Sequence, residues 1–200
     1  IEEFPASGQG APPMGESRTV YIPSLKAKPG EKISVPILVD DPKGLISGEL
    51  TLRFDQDALR FIGARSDFSF ESNLEGDTLK IAFAGERESR SRELLYLDFE
   101  VREGLREDVE LKVFEARLNE GVKVKVKEGL VKLIPHETKL LQNFPNPFNT
   151  ETWIPFELAK GGKVVIKIYD MRGRVVRKLD LGYRSAGYYI GKTKAAYWDG

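Results

Sequence analysis

Three sets of side chains in this 200-residue chain have types and spacing that could do chemistry. Asp40-Asp41, Asp55 with Asp57, and Asp67 with Glu71 offer oxygen ligands to Ca²⁺, which takes carboxylates and carbonyls on loops. None has the spacing of a twelve-residue calcium loop, and Asp at a strand end is ordinarily a turn former. Residues 186–193, AGYYIGKT, fit a relaxed phosphate-loop pattern with Gly191, Lys192 and Thr193 in place. A working loop needs small residues whose N–H groups curl around phosphate ahead of a helix. Tyr188, Tyr189 and Ile190 are bulky and no helix is expected after them, so a hairpin connection is the expectation. His136 is the single histidine, and a Ser-His-Asp triad would have to use it. It lies beside Pro135 with no nucleophile signature nearby, and a solvated linker histidine is expected. Cysteine is absent, which removes disulfides, thiolate catalysis and Cys-ligated metal. No cleft pattern selects a carboxylate pair for glycoside hydrolysis. The chain is expected not to be an enzyme and to need no cofactor, with Ca²⁺ the one candidate ion.

The elements that would carry any of these groups are strands. From Thr19 onward the apolar pattern has period two, in segments 19–25, 32–40, 46–54, 58–65, 77–85, 93–102, 109–118 and 122–134. Short β-rich runs bounded by Gly, Pro, Asn and Asp predict a sandwich or barrel. In 46–54, Ile46, Leu50, Leu52 and Phe54 alternate with Ser47, Glu49, Thr51 and Arg53, so one face is core and the other wet. In VKVKVK, Val122, Val124 and Val126 are expected inward, with lysines outward protecting an edge. Residues 163–181 read as a hairpin turning at 170–173. No stretch keeps helical spacing for three turns.

The fold expected is all-β: an extended N-terminal arm (1–18), a β-sandwich (19–135), a linker (136–139) and a smaller β domain (140–200). The arm, rich in Pro and Gly, must lie against its own domain or a neighbour. Lys plus Arg (31) cancels Asp plus Glu (31), so nothing in that balance recruits nucleic acid or an anionic membrane. No apolar run approaches the roughly 20 residues that span a bilayer. Starting at Ile1 with no Met, the sequence reads as a mature processed chain or an excised fragment. A charged fraction of 31%, no Cys and two Met suit a heat-adapted source.

Residues 19–134 resemble a cohesin domain, a jelly-roll β-sandwich. The resemblance rests on Pro29-Gly30-Glu31 leading into Ile33-Ser34-Val35-Pro36, and on Gly44 to Gly48 followed by Leu50, Leu52, Phe54 and Asp55. It continues through Leu59, Phe61, Leu79 to Phe83, and Leu95 to Val101. It implies an extracellular or cell-surface scaffolding module that binds a dockerin-like protein through one sheet face, with related domains in carbohydrate-associated surface proteins. The outward residues of that face are Ser47, Glu49, Thr51, Arg53, Thr78, Lys80 and Ala82.

Residues 140–200 are similar to the FlgD-like Ig domain, also seen as the sorting domain of type IX secretion substrates. The motifs are Gln142-Asn143-Phe144-Pro145-Asn146-Pro147-Phe148-Asn149, Ile168-Tyr169-Asp170 with Gly173, and Trp198-Asp199-Gly200. In that family the chain runs past the Trp-Asp-Gly turn into further strands, which implies here an incomplete Ig-like sandwich with an open edge. An arm donated by a neighbour could fill it, through Ile1, Phe4 and Trp198, giving a head-to-tail filament as the alternative function. The aromatics crowded into 144–198 are expected to be its core, with a glycan-stacking platform as the other reading.

Overall fold

The computed structural model describes residues 18–85, 91–119 and 122–200, and no helix occurs among them. The strands that the alternation predicts are present, with their boundaries moved where a residue forbids the ladder. β1 (Thr19–Tyr21), β2 (Leu25–Ala27), β3 (Lys32–Val39), β4 (Ser47–Phe54), β5 (Leu59–Arg65) and β6 (Ser69–Glu75) come first. β7 (Thr78–Ala84), β8 (Glu93–Val101), β9 (Val109–Leu118), β10 (Val122–Lys123), β11 (Lys125–Lys127) and β12 (Gly129–Leu133) complete the first unit.

These make two facing sheets. One is β11-β1-β3-β8-β5; the other is β2-β12-β9-β4-β7-β6, with β10 paired to β9. Between them lies one continuous core, in which Val35, Ile37, Leu52, Leu59, Leu79, Leu97 and Phe99 are fully buried. Phe99 is its aromatic centre, edge-on to Phe54 at 5.0 Å and to Phe61 at 5.6 Å. Full burial of such side chains stabilises by about 1.5–3 kcal/mol each, which explains why the alternation is so strict.

Segments 19–25 and 122–134, each expected as one strand, are divided. β1 pairs in parallel with β11 in one sheet, and β2 pairs in parallel with β12 in the other. Both ends of the unit therefore cross between sheets together, on either side of Pro23 and at Gly129. A Cβ on Gly129 would lie 2.3 Å from Ile22 Cγ2, so only glycine lets the crossing chains approach. The crossing also corrects the VKVKVK expectation: Val124 packs against the core, but Val126 is exposed. Ile46 is a second correction. It precedes β4, is 52% exposed, and its N–H is tied to Asn119 Oδ1, which sets the register but leaves the side chain outside. β6 has no apolar alternation and was absent from the predicted strands; pairing with β7 along its whole length makes it a strand.

Beyond Pro135 the chain builds β13 (Lys139–Leu140), β14 (Thr152–Ile154), β15 (Phe156–Leu158), β16 (Gly162–Tyr169), β17 (Val175–Arg184), β18 (Gly187–Tyr189) and β19 (Ala196–Trp198). They form a β13-β15-β18 sheet, a β14-β19 ribbon and the β16-β17 hairpin. A separate small core holds Ile154, Phe156, Leu158, Ile166 and Ala196. The expectation that the aromatics fill it is corrected. Of them Phe156 is buried there and Tyr189 and Trp198 pack against it, whereas Trp153 and Tyr197, a cross-strand pair of the ribbon, alternate with core residues and face away. Tyr188 packs against the first core instead.

The two units meet at defined contacts. Tyr188 reaches the first core, Arg106 Nε lies 3.7 Å from Glu157 Oε1, and Lys132 Nζ donates to Ser185 Oγ at 3.3 Å. Glu157 is only 7% exposed, so the guanidinium from the first unit balances a carboxylate buried in the second. His136 is not merely solvated: its Nε2 lies 2.9 Å from the Pro29 carbonyl, tying the linker to the first unit.

Candidate functional site

The residues singled out as a binding surface fall on one face. In the β4-β7 ladder Glu49 is opposite Ala82, Thr51 opposite Lys80, and Arg53 opposite Thr78. All lie on the side of the sheet away from the core, because their neighbours Leu50, Leu52, Leu79, Ile81 and Phe83 are buried. Ser47, at the strand end, is opposite Ala84. The structure extends this face with strands that sequence reasoning left out of it. β6 adds Glu71 beside Ala82 and Asn73 beside Lys80; β9 adds Arg117 beside Glu49 and Lys112 beside Arg53.

The most prominent member was missed. Phe114, on β9, is 64% exposed, and the Arg53 guanidinium sits 4.5 Å from its ring centroid. The register shift between Thr51 and Leu52 in the β4-β9 ladder puts one extra β9 residue on this side. Phe114 points outward in plain alternation with Glu110 and Lys112, and the bulge then shifts the phase so that Ala116 and Leu118 return to the core. An apolar residue at an outward position, out of phase with Leu111 and Val113, was the available signal.

The outer face of the opposite sheet behaves differently. There Arg65 grips Asp98 through Nε at 3.0 Å and Nη2 at 3.1 Å and also donates to Ser34 Oγ, while Arg60 pairs with Glu100. The Arg65 hydrogen bond holds the Asp98 carboxyl below its usual range against the opposing effect of burial, and Arg60 does the same for Glu100. That face satisfies its own charges across strands. On the β6-β7-β4-β9 face the ion pairs are short-range along β9, Lys112 with Glu110 and Arg117 with Glu115, both at 2.9 Å. Lys80 and Glu49 have no oppositely charged side-chain partner among the described residues.

The alternative chemistries find no matching geometry. Among the described residues no group of three His, Cys, Asp or Glu side chains could hold a metal ion. Three of the six proposed calcium ligands cap turns: Asp40 Oδ1 accepts from the Thr19 and Asp41 N–H groups, Asp41 Oδ1 from Lys43 and Asp55 Oδ1 from Asp57. Residues 186–193 are β18 and a turn, with the Lys194 and Ala195 N–H groups donating to the Gly191 carbonyl. Lys192 Nζ lies 4.1 Å from the Trp153 ring centroid, and Phe144 stacks beside the same indole, so its faces are occupied. In the Asn-Phe-Pro-Asn-Pro motif, Asn143 donates to Thr152 Oγ1, and the buried Thr152 hydroxyl donates to the Pro145 carbonyl; the motif pins a loop. Of the assembly residues, Ile1 and Phe4 lie outside the described residues. Trp198 is partly buried, paired opposite Thr152 and packed on Phe148 at 5.1 Å.

A model of the cohesin domain matches residues 19–129. The chain belongs to the cohesin family. Solved structures agree on the fold of the first unit. A chain of a type I cohesin–dockerin complex from Clostridium thermocellum is 20% identical, with 60% of this chain and 100% of that one aligned at a TM-score of 0.51. A complex of the sixth cohesin of Acetivibrio cellulolyticus scaffoldin B with a dockerin gives 19% identity, 59% and 99% coverage, and 0.52. A second Clostridium thermocellum cohesin–dockerin complex gives 16%, 64% and 99%, and 0.51. No curated protein matches closely enough to count as a relative. Cohesins are non-enzymatic binding modules.

Proposed function

We propose that this cohesin is an extracellular or cell-surface scaffolding module that captures a dockerin-like protein on the outer face of β6-β7-β4-β9. The observation that carries the reading is Phe114, exposed and topped by Arg53 in the middle of a face whose other side chains are short or flexible. Aromatic and Arg anchors dominate binding energy at protein interfaces, and small neighbours let a partner's surface approach them. Ser47, Thr51, Thr78 and Ala82 supply the small neighbours, and Glu49 and Lys80 supply charges still open to a partner. Proteins whose solved structures share this fold include cohesins held in complex with dockerins, which gives the partner class. Residues 19–135 then form the recognition domain, and the strands from Lys139 onward a second Ig-like domain joined by a short linker.

The test is isothermal titration of the whole chain against a panel of dockerin modules. Phe114→Ala should weaken binding about 30-fold, the effect of losing an anchor worth about 2 kcal/mol. The double variant Thr51→Glu, Lys80→Glu should abolish binding with the thermal transition unchanged. Affinity unaltered by both variants removes this face; no binding to any dockerin removes the partner class.

A further inference from the structure

We propose that the β16-β17 hairpin is a finger that docks the molecule on an anionic lipid surface. The chain as a whole is neutral, yet residues 162–184 hold seven Lys and Arg against two Asp. Both aspartates are already engaged: Asp180 pairs with Lys163 at 3.1 Å and Asp170 with Arg174 at 2.8 Å. Lys167, Arg172 and Lys178 have no carboxylate partner among the described residues.

Lys167 and Lys178 are moreover directly opposite each other in the ladder. Like charges at such positions destabilise a hairpin. Here the pair stands on the outer side, since the preceding and following partners Ile166 and Leu179 face the small core. Asp180, bonded to Lys163, acts on Lys178 through charge without a direct ion pair, and an external anion would relieve the repulsion that is left.

Charge alone would suit any polyanion. The apolar residues favour lipid. At the tip Met171 is fully exposed, and Tyr169 and Val175, opposite each other, are half-exposed with Val176 beside them. A basic collar around protruding apolar and Tyr side chains matches the boundary between headgroups and acyl chains, where both interactions are satisfied at once. The finger is also built rather than loose. Asp170 Oδ1 accepts from the Arg172 and Arg174 N–H groups, and Gly173, at φ +77°, closes the turn by donating to the Asp170 carbonyl. The backbone that carries Met171 and Arg172 is thereby fixed before contact, so ordering the turn is not an added cost of binding. The hairpin shares no residue with the Phe114 face, so this inference stands or falls apart from the dockerin reading.

The experiment is co-sedimentation of the whole chain with vesicles of phosphatidylcholine alone or mixed equally with phosphatidylglycerol, with dextran sulfate as a soluble polyanion. Binding to the anionic vesicles only is expected, and it should fall sharply with salt. Lys167→Gln with Lys178→Gln should lower the partition about 25-fold, from about fivefold per cation near an anionic surface. Met171→Ser, at an exposed tip where folding is not at stake, should weaken vesicle binding severalfold and leave dextran sulfate binding unchanged. Equal binding to neutral and anionic vesicles, or none to either, overturns the proposal. So does vesicle binding insensitive to Met171→Ser that tracks dextran sulfate, which would mark a general polyanion site. A reversible self-association lost in Met171→Ser, without vesicle binding, would assign the finger to a second copy and overturn it too.

Discussion

Among the described residues the first unit buries 28 hydrophobic residues in one cluster between two extended sheets, and the second buries five among three small sheets. Both follow the same alternation rule, so the difference is one of enclosure. In the first unit every long strand has a facing sheet, and even edge strands such as β6 are short-sided partners of buried ones. In the second, the longest strands, β16 and β17, pair only with each other, and Val165, Tyr169, Val175 and Val176 remain outside. A small domain buries a smaller fraction of its surface and gains less from it. The second unit therefore draws on its neighbour: Tyr188 inserts into the first unit's packing, and Arg106 neutralises Glu157. Burial pushes the Tyr188 phenol up, aided by the nearby Glu157 charge, as expected of a side chain working as a wedge.

The largest expected effect tests the contrast between cores. Phe99→Ala, at a fully buried site with two aromatic partners, should cost about 3–5 kcal/mol, whereas Ile166→Ala at the thin core should cost about 2 kcal/mol. Calorimetry should show Phe99→Ala lowering the main transition and Ile166→Ala lowering only an earlier one. A single transition shifted equally by both would mean the cores are not distinct cooperative units.

A smaller effect tests how far the second unit depends on the first. Arg106→Ala removes the ion-pair partner of the buried Glu157 carboxylate and leaves only the more distant charge of Lys139 opposite it, at a cost of about 1–3 kcal/mol. It should speed proteolysis within 139–200 while sparing 19–133. Tyr188→Ala should do the same, and Arg106→Lys should recover part of the loss. Cleavage unchanged in both Ala variants would show that the junction carries no stability.

The smallest effect concerns the closed outer face of the first unit. The Asp98 carboxyl is held low chiefly by its hydrogen bond to Arg65, so its contribution is present above the unfolded carboxyl pKa and is lost as pH falls through the folded value. Both partners are partly solvated, which limits the contribution to about 0.5–1 kcal/mol. Asp98→Asn should lower the melting temperature at pH 7 and leave it nearly unchanged near pH 2. An equal drop at both pH values would assign the loss to packing.

Much of the architecture was legible along the chain. The runs at 32–40, 77–85 and 109–118 lie within a residue of β3, β7 and β9, because buried residues recur at every second position along them, with one break after Val113 in β9. The face bearing Thr51 and Lys80 was legible for the same reason. Phe114 follows the same period, outward with Glu110 and Lys112, whereas the inward turn of Ala116 was not legible, because a bulge changes which side a residue takes without leaving a mark in composition. Nor was β6, whose SFESNLE has no apolar period and is a strand only through β7.

What the sequence determined by itself is therefore the local rule: where the chain extends, which side of each strand is apolar, and which turns Gly, Asn and Asp permit. Period two and turn chemistry act between near neighbours, so they are written in residue order. The tertiary structure alone decided that β1 and β2 cross between sheets with β11 and β12, that Arg106 meets Glu157, that Tyr188 leaves its own unit for the first core, and that Lys167 faces Lys178. Each joins groups whose meeting depends on how whole sheets pack, and no periodicity along one strand encodes which distant strand will lie beside it.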